Sequence, residues 1–417
     1  MAPVEASAEG ARPGGRFPAL GYRNFTLLWT GLIVSNAGTQ MQTVGQNWLL
    51  LDLWHSPLAL GVVSLAFAVP MVALPYLGGA VSDRVDRLLL LKITQTGQML
   101  CAALLTLLTA LHAIQVWQIV ALTVAGAALL AFDNPTRQAL FPDLVARVHL
   151  MNAISLQSAA FTGAALFGPA LGGALLARIG PAGIFLLNTI SYLAVLAALF
   201  LLRDLPPRGP RTPGSLRGWL GEGLSYVRGT RVVLALLALS FVGNLLGRSY
   251  LPLLAVFARS IFHVGSTGYG LMVTATGLGA LAGAVGLAGY GDVRAKGRLI
   301  VLSAAAFCLA LGLFALQPPY LLAIALLVAA GLTSTLFSAS LATMLQLRVP
   351  RALRGRVMSL YTITLIGVSS LGSLGSAAVA AAFSAPTAYL SGAALLALVV
   401  LLVARRFWPL RDEGSPA

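Results

Sequence analysis

Apolar residues run along this chain in long, nearly unbroken blocks, and the polar residues gather in the short gaps between them. Twelve blocks are long enough, or nearly so, to cross a hydrocarbon layer of about 30 Å as helices of roughly 20 residues. They cover 25–51, 58–80, 88–110, 114–134, 152–177, 182–202, 232–258, 267–289, 299–316, 320–345, 357–383 and 386–405. None shows the period-two alternation of a barrel strand, and only helices or closed barrels satisfy the backbone in lipid. The pattern predicts an all-α membrane protein.

Composition supports this reading. Hydrophobic residues make up 58% of the 417 and charged residues only 9%, against about 25% charged in a soluble domain. A water-soluble globule of this make-up could not cover its own surface. The net charge of +15 suggests nucleic acid only when it forms a basic face on a folded surface. Here the basic residues occupy the gaps, so no nucleic-acid partner is expected. With both termini in the cytoplasm, all but three of the 27 Lys and Arg residues fall in cytoplasmic segments, as short cytoplasmic loops require. Arg178 and Arg259 fall outside and Arg248 within a span.

The Arg-, Pro- and Gly-rich gap 203–231 divides the spans six and six, as a linker between two bundles does. The expected organisation is a loose cytoplasmic tail over 1–23, a six-helix bundle over 24–202, the linker, a second bundle over 232–405, and a tail over 406–417. The first 23 residues lack the apolar core of a cleavable signal. The halves echo one another. His149–Leu156 resembles Leu353–Leu360 at an offset of 204, Cys101 precedes Cys308 by 207, and Asn36 and Gln40 map onto Asn244 and Arg248 at an offset of 208. This predicts a parallel repeat of six spans, the architecture of transporters that rock two bundles about a midplane site.

Polar residues inside the spans are the candidate chemistry. Asn36, Gln40, Thr43 and Asn47 fall at i, i+4, i+7 and i+11, a stripe about 60° wide on a helix. Ser240, Asn244 and Arg248 form the matching stripe in the seventh span. Two readings stand: the stripes line a central substrate cavity, or they bond neighbouring helices within each half. Arg248 is the only basic residue inside a span, where it needs a partner or water. That partner is a substrate anion, a polar side chain or Asp52. Asp52 and Asp133 are the carboxylates nearest the spans and the candidates for ion coupling, with simple interfacial charges as the alternative. Leu196 is expected to face lipid.

Nothing in the pattern builds an enzyme. The four histidines lie in loops, the two cysteines sit mid-run as small hydrophobes, and no glycine-rich phosphate loop with its lysine is present, so no cofactor, metal or direct use of ATP is expected.

Two motifs remain. The loop after the second span reads Gly79-Ala80-Val81-Ser82-Asp83-Arg84-Val85-Asp86-Arg87, with a degenerate copy, Gly289-Tyr290-Gly291-Asp292-Val293-Arg294, after the eighth. Span 5 carries Gly168-Pro169-Ala170-Leu171-Gly172-Gly173, where glycines permit close helix approach and a proline can kink the helix. The first resembles the G-x-x-x-D-R/K-x-G-R/K signature of the major facilitator superfamily, with Asp86 in place of its glycine. The second is similar to the G-P-x-x-G-G element of that superfamily's drug antiporters. SNAGTQMQTVGQNWLL (35–50), NPTRQALFPDLV (134–145) and LMNAISLQSAAF (150–161) resemble the branch holding enterobactin exporters and macrolide efflux proteins. The resemblance implies a secondary-active exporter in the bacterial inner membrane, moving a small molecule against a proton or other ion gradient, and expected as a monomer. It also implies a cytoplasmic gate: Asp83 facing the start of span 11 and pairing with Arg137, with Gly79, Arg84, Arg87 and Asp292 completing the two motif copies. A membrane-embedded lipid- or ligand-handling protein without uphill transport is the alternative.

Overall fold

The computed structural model describes residues 17–82, 85–202, 225–290 and 296–406, and among them all regular structure is helical. In chain order the helices are α1 (Arg23–Trp54), α2 (Leu58–Ala73), α3 (Pro75–Ser82), α4 (Arg87–Ala110), α5 (Val116–Leu140), α6 (Leu150–Leu201), α7 (Arg231–Val242), α8 (Gly265–Tyr290), α9 (Lys296–Ala315), α10 (Tyr320–Arg348), α11 (Arg351–Ile363), α12 (Ser369–Ala382) and α13 (Ala385–Arg406).

Among the described residues nine helical stretches are long and apolar enough to cross a membrane. One of them, Arg147–Leu201, is 55 residues long and holds two spans, because Gly180 leaves the helical region at φ 68°. That left-handed conformation is open to glycine at little cost, and Pro181 follows it. The kink therefore lies at Gly180; Pro169 stays within regular helix. The first and second spans complete the twelve. α1 has 32 residues, long enough to cross, with amides and hydroxyls set among its apolar positions. The second span breaks at Leu74, since Pro75 lacks an N–H and crowds the residue before it. The seventh span is irregular: α7 gives way to a wide i→i+5 turn over Gly243–Gly247, a tight 3₁₀ turn at Arg248–Tyr250 and a second wide turn at Phe257–Ile261. The eleventh span has its own wide turn at Thr364–Val368, between α11 and α12.

The repeat is visible in the backbone. Helices end on left-handed residues at His55 and His263, 208 residues apart, and at His112 and Gln317, 205 apart. These offsets match those of the sequence echoes.

By proximity the chain forms two compact units. One takes the described residues of Met1–Gln46 and Ala73–Pro213; the other takes those of Asn47–Val72 and Gly214–Ala417. In the first, Phe25, Leu28, Leu32, Phe141, Val195 and Leu199 form a buried cluster, and the Trp29 indole N–H donates to the Leu156 carbonyl at 2.9 Å, tying α1 to α6. Exposed Leu186, Ile190, Leu193 and Phe200 give α6 an apolar outer face suited to lipid. Leu196 is not on it; it is buried. In the second unit the core is aromatic, with Phe257 4.7 Å from Tyr389 and 4.8 Å from Phe314, centroid to centroid.

Candidate functional site

In the first unit the polar centre lies between α4 and α5. α5 does not end near residue 134, as the sequence pattern suggested, but runs to Leu140. Asp133 is therefore inside a helix and fully buried, not an interfacial charge. Its Oδ1 accepts from the Thr94 hydroxyl at 2.9 Å and from the Gln95 amide at 2.8 Å, while Oδ2 pairs with Arg137 one turn on. Gln98 extends the seam: its amide donates to the Thr94 carbonyl at 3.4 Å and its Oε1 accepts from the Tyr192 hydroxyl at 3.5 Å. Gln95 Oε1 is buried with no bonding partner among the described residues. An ion pair out of water gains enough attraction only when geometry and added hydrogen bonds offset desolvation, and Thr94 and Gln95 supply those two bonds to Asp133.

The α1 stripe is divided. Gln40 and Asn36 are partly covered and Thr43 is exposed, with its hydroxyl bonded back to the Thr39 carbonyl at 3.0 Å. The span 5 motif explains the cover. A Cβ on Gly168 would stand 2.6 Å from Gln40 Cβ, and one on Gly172 would stand 2.9 Å from Met41 Cα. Gly168, Pro169, Gly172 and Gly173 are all buried, so the motif is the seam on which α6 meets α1. Deeper bonds join α1 to its neighbours: Asn188 donates to Gln42 Oε1 at 2.6 Å, and Gln46 donates to Thr123 at 3.1 Å.

In the loop motif, Gly79 lies in the last turns of α3; Asp83 and Arg84, like Asp292 in the second copy, lie outside the described residues. Arg87 donates to Asp143 at 2.6 Å and to the Ala139 carbonyl at 3.0 Å, gripping the far end of α5. Asp86 caps α4, its Oδ1 accepting from Leu89 N at 2.9 Å. This accounts for an aspartate where the family signature has glycine, since both serve at a helix N-cap. Arg137, expected to pair with Asp83, has Asp133 as its ion-pair partner.

In the second unit the outer end of α1 is held by side chains that sequence reasoning missed. Asn47 donates to the Tyr269 hydroxyl at 3.0 Å, Trp48 stacks on Tyr269 at 6.3 Å, and Arg259 pairs with Asp52 while lying 5.8 Å from the centre of the Trp48 ring. Asp52 is thus not the partner of Arg248. The stripe on the seventh span is also divided. Ser240 and Asn244 are buried; Asn244 donates to the Ser240 carbonyl at 2.8 Å, and Ser240 bonds Thr364 at 2.7 Å. Asn244 therefore ties its own helix together and does not line an open space. The i→i+5 turn that contains it turns the chain away from the α-helical period, and Arg248, one turn on, is exposed. Arg259 and Tyr269 could not be found from the sequence, because their partners lie more than two hundred residues away.

Among known proteins, the chain matches the family described as transmembrane secretion effector over residues 15–415. It is 28% identical over 249 residues to the staphyloferrin A transporter of Staphylococcus aureus, covering 58% of this chain and 62% of that protein. It is 28% identical over 272 residues to the enterobactin exporter EntS of Escherichia coli, covering 64% and 65%. The multidrug efflux pump Tap of Mycolicibacterium fortuitum is 24% identical over 358 residues, 83% of this chain and 86% of that one. The first two matches span less than two thirds of those relatives' lengths. In fold, the chain superposes on a bacterial homologue of the human lysosomal transporter Spinster with a TM-score of 0.73 at 15% identity, covering 97% of this chain and all of that one. For the nucleoside transporter NupG the TM-score is 0.71 at 15% identity, covering 92% and 99%. With a family match over nearly its whole length and this fold, the chain belongs to the transmembrane secretion effector family of the major facilitator superfamily, whose members are multi-pass membrane transporters and not enzymes.

Proposed function

We propose that this protein is a secondary-active exporter that moves a small amphiphilic molecule, of drug, macrolide or siderophore type, out of the cytoplasm by alternating access. Protons are the coupling ion and Asp133 the residue that binds them. The observation that carries the coupling is the burial of Asp133 within a span, where a charged carboxylate persists only through Arg137, Thr94 and Gln95. Asp52, in a pair that is about one third exposed on either side, is a weaker candidate. The relatives named as an enterobactin exporter and a multidrug efflux pump support export as the direction. The protein sits in the bacterial inner membrane as a monomer with both termini cytoplasmic, and Asp83 contributes to closing the inner side.

The test uses ethidium and purified protein in liposomes. Wild type should accumulate or expel the dye when a proton gradient is imposed and exchange it across the membrane without one. Asp133→Asn should keep exchange and lose gradient-driven movement. Gradient-driven transport by Asp133→Asn at the wild-type rate overturns the assignment of Asp133. Dye movement that never responds to a gradient in the wild type favours the lipid- or ligand-handling alternative.

A further inference from the structure

Arg248 is the eighteenth of the 31 residues of its span, close to the bilayer midplane, where an arginine facing hydrocarbon is costly. Among the described residues it has no ion pair and no hydrogen bond. The described residues hold four acidic side chains, and each is engaged: Asp52 with Arg259, Asp133 with Arg137, Asp143 with Arg87, and Asp86 at the start of α4. The other eight acids fall in the segments between or beyond the spans. A lipid phosphate at the surface is too far away to serve.

The surrounding backbone holds this one side chain out while fixing its neighbours. Gly247, Ser249 and Tyr250 are buried. Ser249 accepts from Ser376 of α12 at 2.9 Å, and the Tyr250 carbonyl accepts from Tyr389 of α13 at 2.8 Å. The wide turn before Arg248 fits because α12 has a glycine there: a Cβ on Gly372 would stand 1.9 Å from the Leu245 carbonyl oxygen. Of the four residues 247–250 only Arg248 is exposed. Interrupted helices near the midplane are where transporters of this architecture bind their cargo.

We infer that Arg248 anchors an anionic group, a carboxylate or comparable planar oxyanion, on the transported molecule. The inference rests on the exporter reading above and narrows its substrate class. A guanidinium suits such a group because its planar fork offers two parallel N–H donors.

Binding of carboxyfluorescein, an anion, and of ethidium, a cation, to the detergent-purified protein can be followed by fluorescence anisotropy. No gradient is needed, so the result is independent of whether the protein pumps. Wild type should bind carboxyfluorescein, more weakly as salt rises. Arg248→Gln should weaken that binding by about tenfold to a hundredfold, the loss expected for a charge-assisted contact, and leave ethidium binding unchanged. Arg248→Lys should fall between. Thermal unfolding of each variant separates a binding loss from a folding loss. The inference is overturned if the wild type does not bind carboxyfluorescein, if Arg248→Gln binds it as the wild type does, or if both dyes lose affinity equally in a variant that unfolds at the wild-type temperature.

Discussion

Asp52 and Arg259 form an ion pair that does not stand alone: Arg259 also lies over Trp48, Trp48 stacks on Tyr269, and Tyr269 accepts a hydrogen bond from Asn47. Three residues from the last turns of α1 are thus bound by one continuous chain of contacts to Arg259 and to α8. Each charged partner is only about one third exposed, so screening reduces the pair without abolishing it. Asp52→Asn or Arg259→Gln should each cost up to about 1 kcal/mol, and the reversed pair Asp52→Arg with Arg259→Asp should recover most of that loss. A double-mutant cycle on the unfolding temperature checks this; additive losses would mean that the two charges do not interact.

The seam between α1 and α6 predicts sharp intolerance of bulk. Gly168→Leu and Gly172→Leu insert side chains where a bare Cβ already meets Gln40 or Met41 within 3 Å. Overpacking of this kind costs about 1–3 kcal/mol, so both variants should unfold earlier and transport poorly. Leu193→Phe, on the exposed face of α6, should do neither. Expression and dye transport of the three variants in one host provide the comparison, and normal transport by both glycine variants would falsify the seam's importance.

At α4 the substitution to watch is Asp86. Losing an N-cap side chain to alanine costs about 1 kcal/mol, but to glycine only a few tenths. Asp86→Ala should therefore destabilise the protein measurably more than Asp86→Gly, although glycine has the lower helix propensity. The order of the two unfolding temperatures decides the matter.

Breaking the buried pair is expected to be the most damaging single change. Arg137→Gln leaves Asp133 charged and without its counterion, at a cost of about 3–5 kcal/mol, whereas Arg137→Gln combined with Asp133→Asn removes both charges together. The double variant should be more stable than Arg137→Gln alone. If the two are equally stable, Asp133 does not depend on Arg137.

Much of this was legible in the sequence because lipid imposes simple rules. Twelve apolar blocks and the glycine spacing of span 5 each follow from one local constraint, and the family match and fold agree with the all-helical architecture that the blocks imply. The apolar block that holds Asp133 stops at 134, which puts the carboxylate at a span end, whereas the helix continues through Pro135 to Leu140. Asn244 was grouped with Arg248 on the assumption of 3.6 residues per turn, which the wide turn at 243–247 violates. Arg259 and Tyr269 bring contacts from more than two hundred residues away, and no local pattern encodes such pairings.

That wide turn has a mechanical consequence. An i→i+5 turn holds one residue more than the same length of α-helix, so the seventh span carries a surplus residue beside Arg248, and the eleventh carries another at 364–368. A surplus residue is a defect with an address. Five residues of such a turn sweep about the same angle as four of α-helix, so removing the surplus, by deleting Leu246 for instance, should let the ordinary i→i+4 ladder close and leave Arg248 near its present bearing, with the span still apolar and insertable. The spare residue is thus slack taken up where it is stored, and what its removal changes is the ease with which the span can bend beside Arg248.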